Sequence, residues 1–105
     1  MCGIAGLVNF NRRYVNSIQN SLFHRGPDAK SHYHYKNLSL VHTRLSIQDI
    51  KNGDQPLRIG KYVIVFNGEI YNHIALRKNL KKYSCKTLCD TETLLALYIE
   101  FGIAA

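Results

Sequence analysis

No stretch of this chain approaches the roughly 20 consecutive apolar residues that a membrane helix requires. The opening MCGIAGLVNF also lacks the charged start of a secretion signal. No membrane partner is expected, and the protein is read as cytoplasmic. Cysteine is scarce: Cys2, Cys85 and Cys89 leave at least one thiol unpaired, which argues against a secreted disulfide framework and for a reducing compartment. Cys85 and Cys89 stand four apart with no His or Cys pair elsewhere to complete a zinc site, so no metal is expected and both are read as free thiols behaving as small hydrophobes. Repeats, low-complexity tracts, linkers and a glycine-rich phosphate loop are all missing. Acidic residues are few, 7 against 14 Lys and Arg, giving a net charge of +7. Such a balance raises the question of a small basic nucleic-acid-binding domain. The basic residues are scattered, however, and only Arg77, Lys78, Lys81 and Lys82 are dense. They alternate with Ile74, Leu76, Leu80 and Tyr83 as the solvated side of an amphipathic helix would, so no nucleic-acid partner is expected.

What is present fits one globular domain: 105 residues, 46% hydrophobic and 20% charged. Residues 3–10, GIAGLVNF, have the length and apolar content of a buried strand. Val15, Ile18, Leu22 and Phe23 follow helical spacing, which predicts a helix over 14–24, stopped by Gly26 and Pro27. Two short strands are expected at 31–36 and 38–43, joined by Lys36-Asn37, and another at 61–66. Between them RLSIQDIKNGDQPL (44–57) reads as a long irregular segment of the kind that often carries function. Asn67-Gly68 signals a tight hairpin turn. Residues 72–83 read as a helix with Asn72 as N-cap, and 91–101 as an apolar one opened by Asp90 or Thr91 and closed by Gly102. The class is α+β or a layered sandwich.

Cys2 raises the chemical question. A free thiol ordinarily titrates near pH 8.5, so only a few per cent is ionised at neutral pH, and a nucleophilic cysteine needs a nearby base. An α-amine titrates at about 7.7–8.0. Removal of Met1 would place that amine on Cys2 itself, giving a nucleophile and a base on one residue. In VFNGEIYN (65–72) the Asn67 amide and the Gly68 N–H are adjacent donors that could face a developing oxyanion. Arg44 in HTRLS could take a carboxylate with its guanidinium fork. In CDTETL (89–94), Asp90 suits a helix N-cap and Glu92 the helix dipole, yet a carboxylate there could also bind an ammonium group. RGPD at 25–28 fits a stiff turn after a helix. His24, His32, His34, His42 and His73 form no i, i+4 pair and are read as exposed or structural.

In this order, MCGIAGLV, HRGPD, HTRLSIQDIKNGDQPL, VFNGEIYNH and CDTETLLALY resemble the N-terminal glutaminase domain of class II glutamine amidotransferases, with RGPD and NGEIYNH pointing to the asparagine synthetase branch. The resemblance implies hydrolysis of glutamine to glutamate and ammonia through a thioester on Cys2. It assigns Asn67 and Gly68 to the oxyanion hole and Arg44 to glutamine's α-carboxylate. Glu69 and Asp90 fall to its α-amino end, and Arg25 to a supporting place beside the site. It further implies the αββα four-layer sandwich of N-terminal nucleophile hydrolases, of which residues 1–105 would be the first half. The ATP-using synthetase domain, with ATP and magnesium, is absent from this chain, so no cofactor is expected here. The expected partners are glutamine and the missing remainder of the domain. Alone, the chain is expected to be poorly stable and weakly active. A truncated remnant that binds an amino acid without turnover is the alternative. Ser31 and Cys89 depart from the family pattern, in which a glycine and a polar residue usually stand at those positions.

Overall fold

A computed structural model of the chain describes residues 1–9, 11–46 and 51–105. Phe10, placed in the first expected strand, and residues 47–50 of the expected irregular segment lie outside the described residues. The chain forms strand β1 (Gly3–Val8), helix α1 (Tyr14–Leu22), strands β2 (Ala29–Tyr35) and β3 (Leu38–Arg44), and then β4 (Leu57–Ile59) and β5 (Tyr62–Ile64). A short helix α2 (His73–Leu76) and a long one, α3 (Asp90–Phe101), follow. The result is a mixed α/β domain with two antiparallel sheets, ordered β1-β3-β2 and β4-β5.

Alternation decides the faces of the first sheet. Gly3, Ala5 and Leu7 pair with Thr43, Val41 and Ser39 of β3, and this face meets α1 in a core of Leu7, Val15 and Val41 with Ala5 and Ile18 packed against it. Ile4 and Val8 fall on the opposite face and are exposed. The first strand is thus half-covered rather than buried, because α1 shields one side only. Arg44 and His42 share the second face with Ile4, Tyr33 and Tyr35. There Tyr33, Tyr35 and Leu40 line a cavity of about 580 Å³ together with Arg58, Tyr62 and Val63 of the smaller sheet. Tyr62 also meets Tyr98 of α3 edge-on, with ring centroids 6.2 Å apart.

The first helix ends at Leu22 and tightens into a 3₁₀ turn over Phe23–Arg25. Gly26 then passes so close to β3 that a Cβ would overlap the Thr43 carbonyl, so only glycine fits. The Lys36-Asn37 hairpin forms as expected, with Lys36 at φ 52°. A second hairpin turns at Gly60, φ 58°, and contains the three-residue β4 that the sequence did not reveal.

Two expectations are corrected. Asn67-Gly68 makes no hairpin: β5 ends at Ile64, and neither residue has a positive φ. The chain instead runs on irregularly, because the Phe66 amide donates to the Gln55 side chain (2.6 Å) and the Ile70 amide to Asp90 (3.0 Å). Nor does a helix span 72–83. Asn72 is the N-cap, but α2 covers His73–Leu76 and a 3₁₀ turn follows over Arg77–Asn79. Beyond it, the amides of Lys81 and Lys82 donate to Glu100, and those of Lys86 and Thr87 to Glu92. Acidic side chains of α3 have captured donors that a longer helix would have used internally.

Helix α3 runs Asp90–Phe101 with Cys89 as N-cap and closes at Gly102, φ 65°. Its first turn is buried, whereas Tyr98 and Phe101 are exposed. No described helix is long and apolar enough to cross a membrane.

Candidate active site

Cys2 enters the fold as the residue before β1. Its Sγ accepts from the Leu45 amide at 3.3 Å and donates to the Leu45 carbonyl at 3.6 Å. The thiol is half-buried, while Met1 projects into solvent. Pairing of Gly3 with Thr43 puts the start of the chain beside the end of β3, so Cys2 and Arg44, 42 positions apart in sequence, become neighbours.

The HRGPD segment frames both without lining the cleft. Arg25 Nε donates to the Cys2 carbonyl (3.2 Å). The Asp28 amide donates to the Arg44 carbonyl (2.9 Å), and the Asp28 carboxylate accepts from the Ser46 amide (2.7 Å). One turn therefore pins the nucleophile candidate on one side and the arginine's strand on the other.

A cleft of about 40 Å³ opens between these parts, lined by Cys2, Arg44, Gly68, Glu69, Asp90 and residues of the loops around them. Asn67 lines an adjoining cavity of about 300 Å³ together with Cys2, Gly68, Glu69 and Tyr71. Of the seven residues singled out in the sequence, six thus face two contiguous cavities, and Arg25 holds the backbone of one of them. Four segments supply the six: the N-terminus, the end of β3, the 65–72 loop and the start of α3. The loop bearing Asn67, Gly68 and Glu69 is tethered at both ends by the Gln55 and Asp90 bonds given above.

Electrostatically the cleft is mixed. The buried Arg44 donates from Nη1 to Asp54 Oδ1 at 2.7 Å. Asp90 is buried at the first position of α3, close to the helix's positive end, and its carboxylate accepts from the Ile70 amide. On the same face of β3 as Arg44, His42 is buried, with neither ring nitrogen hydrogen-bonded among the described residues. Burial, joined by the positive charge of Arg44, outweighs the opposing pull of the Phe66 backbone and Asp54 and pushes its pKa down to about 4. The ring is neutral at physiological pH.

The supporting roles of Gln55 and Arg77 escaped the sequence reading, and Glu92 does more than it foresaw. Gln55, buried, donates to Thr91 Oγ1 (3.1 Å) while accepting from Phe66, so one amide couples the 65–72 loop to α3. Arg77, expected on a solvated face, is half-buried and donates to Thr93 Oγ1, to the Thr87 carbonyl and to the Cys89 carbonyl. Glu92 is 3% exposed and accepts from the Tyr83 hydroxyl, the Lys86 and Thr87 amides and Thr87 Oγ1. Burial alone would raise its pKa, but these hydrogen bonds prevail and hold it below the ordinary value. Burial and the bond to Glu92 push Tyr83 up to about 12. Glu92 is thus more than a helix-dipole residue, since it and Arg77 lock the 80–89 loop onto the helix that presents Asp90. Only the presence of Gln55 within GDQPL could have flagged it, and no local signal marks Arg77.

A thiol, a buried guanidinium and two carboxylates thus converge on one cleft, beside the loop that carries Gly68. The glutamine amidotransferase domain family matches residues 1–105, and the chain belongs to that family. Asparagine synthetase [glutamine-hydrolyzing] 1 of Bacillus subtilis is 40% identical over 96% of this chain and 18% of its own length. The probable asparagine synthetase [glutamine-hydrolyzing] of Schizosaccharomyces pombe is 46% identical over 99% of this chain and 20% of its own length. Asparagine synthetase B [glutamine-hydrolyzing] of Escherichia coli is 40% identical over 97% and 20%. The chain therefore spans about a fifth of the length of these relatives.

Proposed function

We propose that this chain supplies the glutamine-hydrolysing site of an asparagine-synthetase-like enzyme. The observation that carries the reading is the meeting of Cys2, Arg44, Gly68, Glu69 and Asp90 around one cleft. Once Met1 is removed, the α-amine of Cys2 takes the thiol proton and the sulfur attacks the side-chain amide carbon of glutamine. The oxygen that becomes negative is received by the Asn67 amide and the Gly68 N–H, where losing one such donor costs about 3–4 kcal/mol of barrier stabilisation. Arg44 binds the α-carboxylate, and Glu69 with Asp90 binds the α-ammonium group, so charge at the far end of the substrate aims its amide at the sulfur. The protonated amine then gives its proton to the leaving nitrogen, ammonia departs, and water cleaves the thioester to glutamate. Arg25 keeps the Cys2 backbone in place.

The fold reading extends the same way. Helix α1 covers one face of the first sheet, the second sheet shares a cavity with the other face, and α3 packs on that second sheet. This order supports an αββα layering of the N-terminal nucleophile hydrolase kind, with residues 1–105 as its first part. On the same reading the released ammonia serves asparagine formation, as the relatives are named asparagine synthetases, with ATP and magnesium belonging to a synthetase region outside the segments described.

A glutamine-mimicking diazoketone tests the site. Enzyme freed of Met1 should gain one adduct on Cys2, and glutamine should protect it. Absence of the adduct while glutamine still binds would favour an amino-acid-binding remnant without turnover.

A further inference from the structure

The Arg44–Asp54 ion pair joins two very different environments: the arginine side chain is 7% exposed and the aspartate 75%. Asp54 supplies this buried guanidinium with a negative partner. Asp54 brings a charge from the cleft wall itself, since its neighbours Gly53 and Gln55 both line the cleft beside Cys2 and Asp90. Gln55 is anchored to Thr91 and Phe66, so the wall is fixed while the aspartate standing on it reaches out to the guanidinium. The cleft beside Arg44 measures only about 40 Å³, so a substrate carboxylate that reaches the guanidinium there competes with Asp54 for it. The exposed carboxylate is the group free to retreat into solvent at small cost.

We propose that Asp54 competes with the substrate's α-carboxylate for Arg44, holding the guanidinium until an amino acid arrives and then surrendering it. The proposal rests on the reading of Arg44 as the carboxylate binder. Binding then becomes an exchange of one carboxylate for another on the same guanidinium. Asp54 holds the guanidinium between turnovers and lowers the affinity for any ligand whose carboxylate must displace it. A ligand without a carboxylate leaves the pair undisturbed.

Calorimetric titration of the full-length protein, carrying Cys2→Ala to block turnover, compares glutamine with 4-aminobutanamide, its analogue lacking the carboxylate. Asp54→Asn should tighten glutamine about 2- to 5-fold, the range of an ion pair with one exposed partner, and leave the analogue unchanged. Asp54→Ala should behave alike. If the parent prefers glutamine to the analogue but neither variant tightens glutamine, the proposal fails and the reading of Arg44 stands. Equal or absent binding of the two ligands by the parent overturns both.

Discussion

Mild acid should weaken the fold through one side chain, His42. Its pKa is about 4 in the folded chain against 6.5 for an ordinary histidine, mainly because burial disfavours the charged ring. The unfolded chain takes up a proton below pH 6.5 and the folded one only near 4, so protonation favours unfolding. Stability present above pH 6.5 is lost progressively between about 6.5 and 4, for a total of roughly 3 kcal/mol, of which about 2 kcal/mol is gone by pH 5. A domain of this size holds about 5–15 kcal/mol in all, so the loss is a substantial share. Urea unfolding at pH 7 and pH 5 measures it, and His42→Gln separates it from His34, which burial, His32 and Arg12 shift in the same direction. The parent should lose about 2 kcal/mol more than the variant between the two pH values. Equal losses in parent and variant would show that His42 is not held neutral by burial.

Other perturbations act on separate parts of the same frame. Glu92→Ala removes the acceptor of four hydrogen bonds and the carboxylate 4.0 Å from Arg77, and should cost about 3 kcal/mol in chemical denaturation. Because the folded pKa of Glu92 is depressed, its contribution is present above the ordinary 4.5 and should fade as pH falls below that value. Gly26→Ala forces a methyl group into the Thr43 carbonyl and should destabilise by about 1–3 kcal/mol, visible as a lower Tm. Asn67→Ala should lower kcat for ammonia release from glutamine by about 10²- to 10³-fold with little change in KM.

Much of the architecture was legible because its causes are local. The apolar run after Cys2, the Lys36-Asn37 turn and the closure at Gly102 are each set by residues within a few positions, and the structure shows a strand, a hairpin and a helix end at those places. The candidate site residues were visible for a different reason: they lie in contiguous motifs whose order resembles a known family. What stayed hidden depends on partners far along the chain. Asn67-Gly68 carries a strong hairpin signal, but Gln55 and Asp90 hold the flanking amides and overrule it. Residues 80–83 have helical spacing, yet Glu100 takes the Lys81 and Lys82 amides. Arg77 looks like a surface cation until the loop carbonyls around it are known. Side-chain hydrogen bonds over 10 to 20 positions leave no periodic trace in sequence.

The reaction asks most of Cys2, and its selective acylation is the direct test. Protein freed of Met1 is exposed briefly to the glutamine-mimicking diazoketone, digested, and mapped by mass spectrometry. The account predicts a single adduct on Cys2, suppressed by glutamine and by Arg44→Ala, with Cys85 and Cys89 unmodified. Equal modification of Cys85, or labelling of Cys2 that neither glutamine nor the Arg44 substitution reduces, would contradict it.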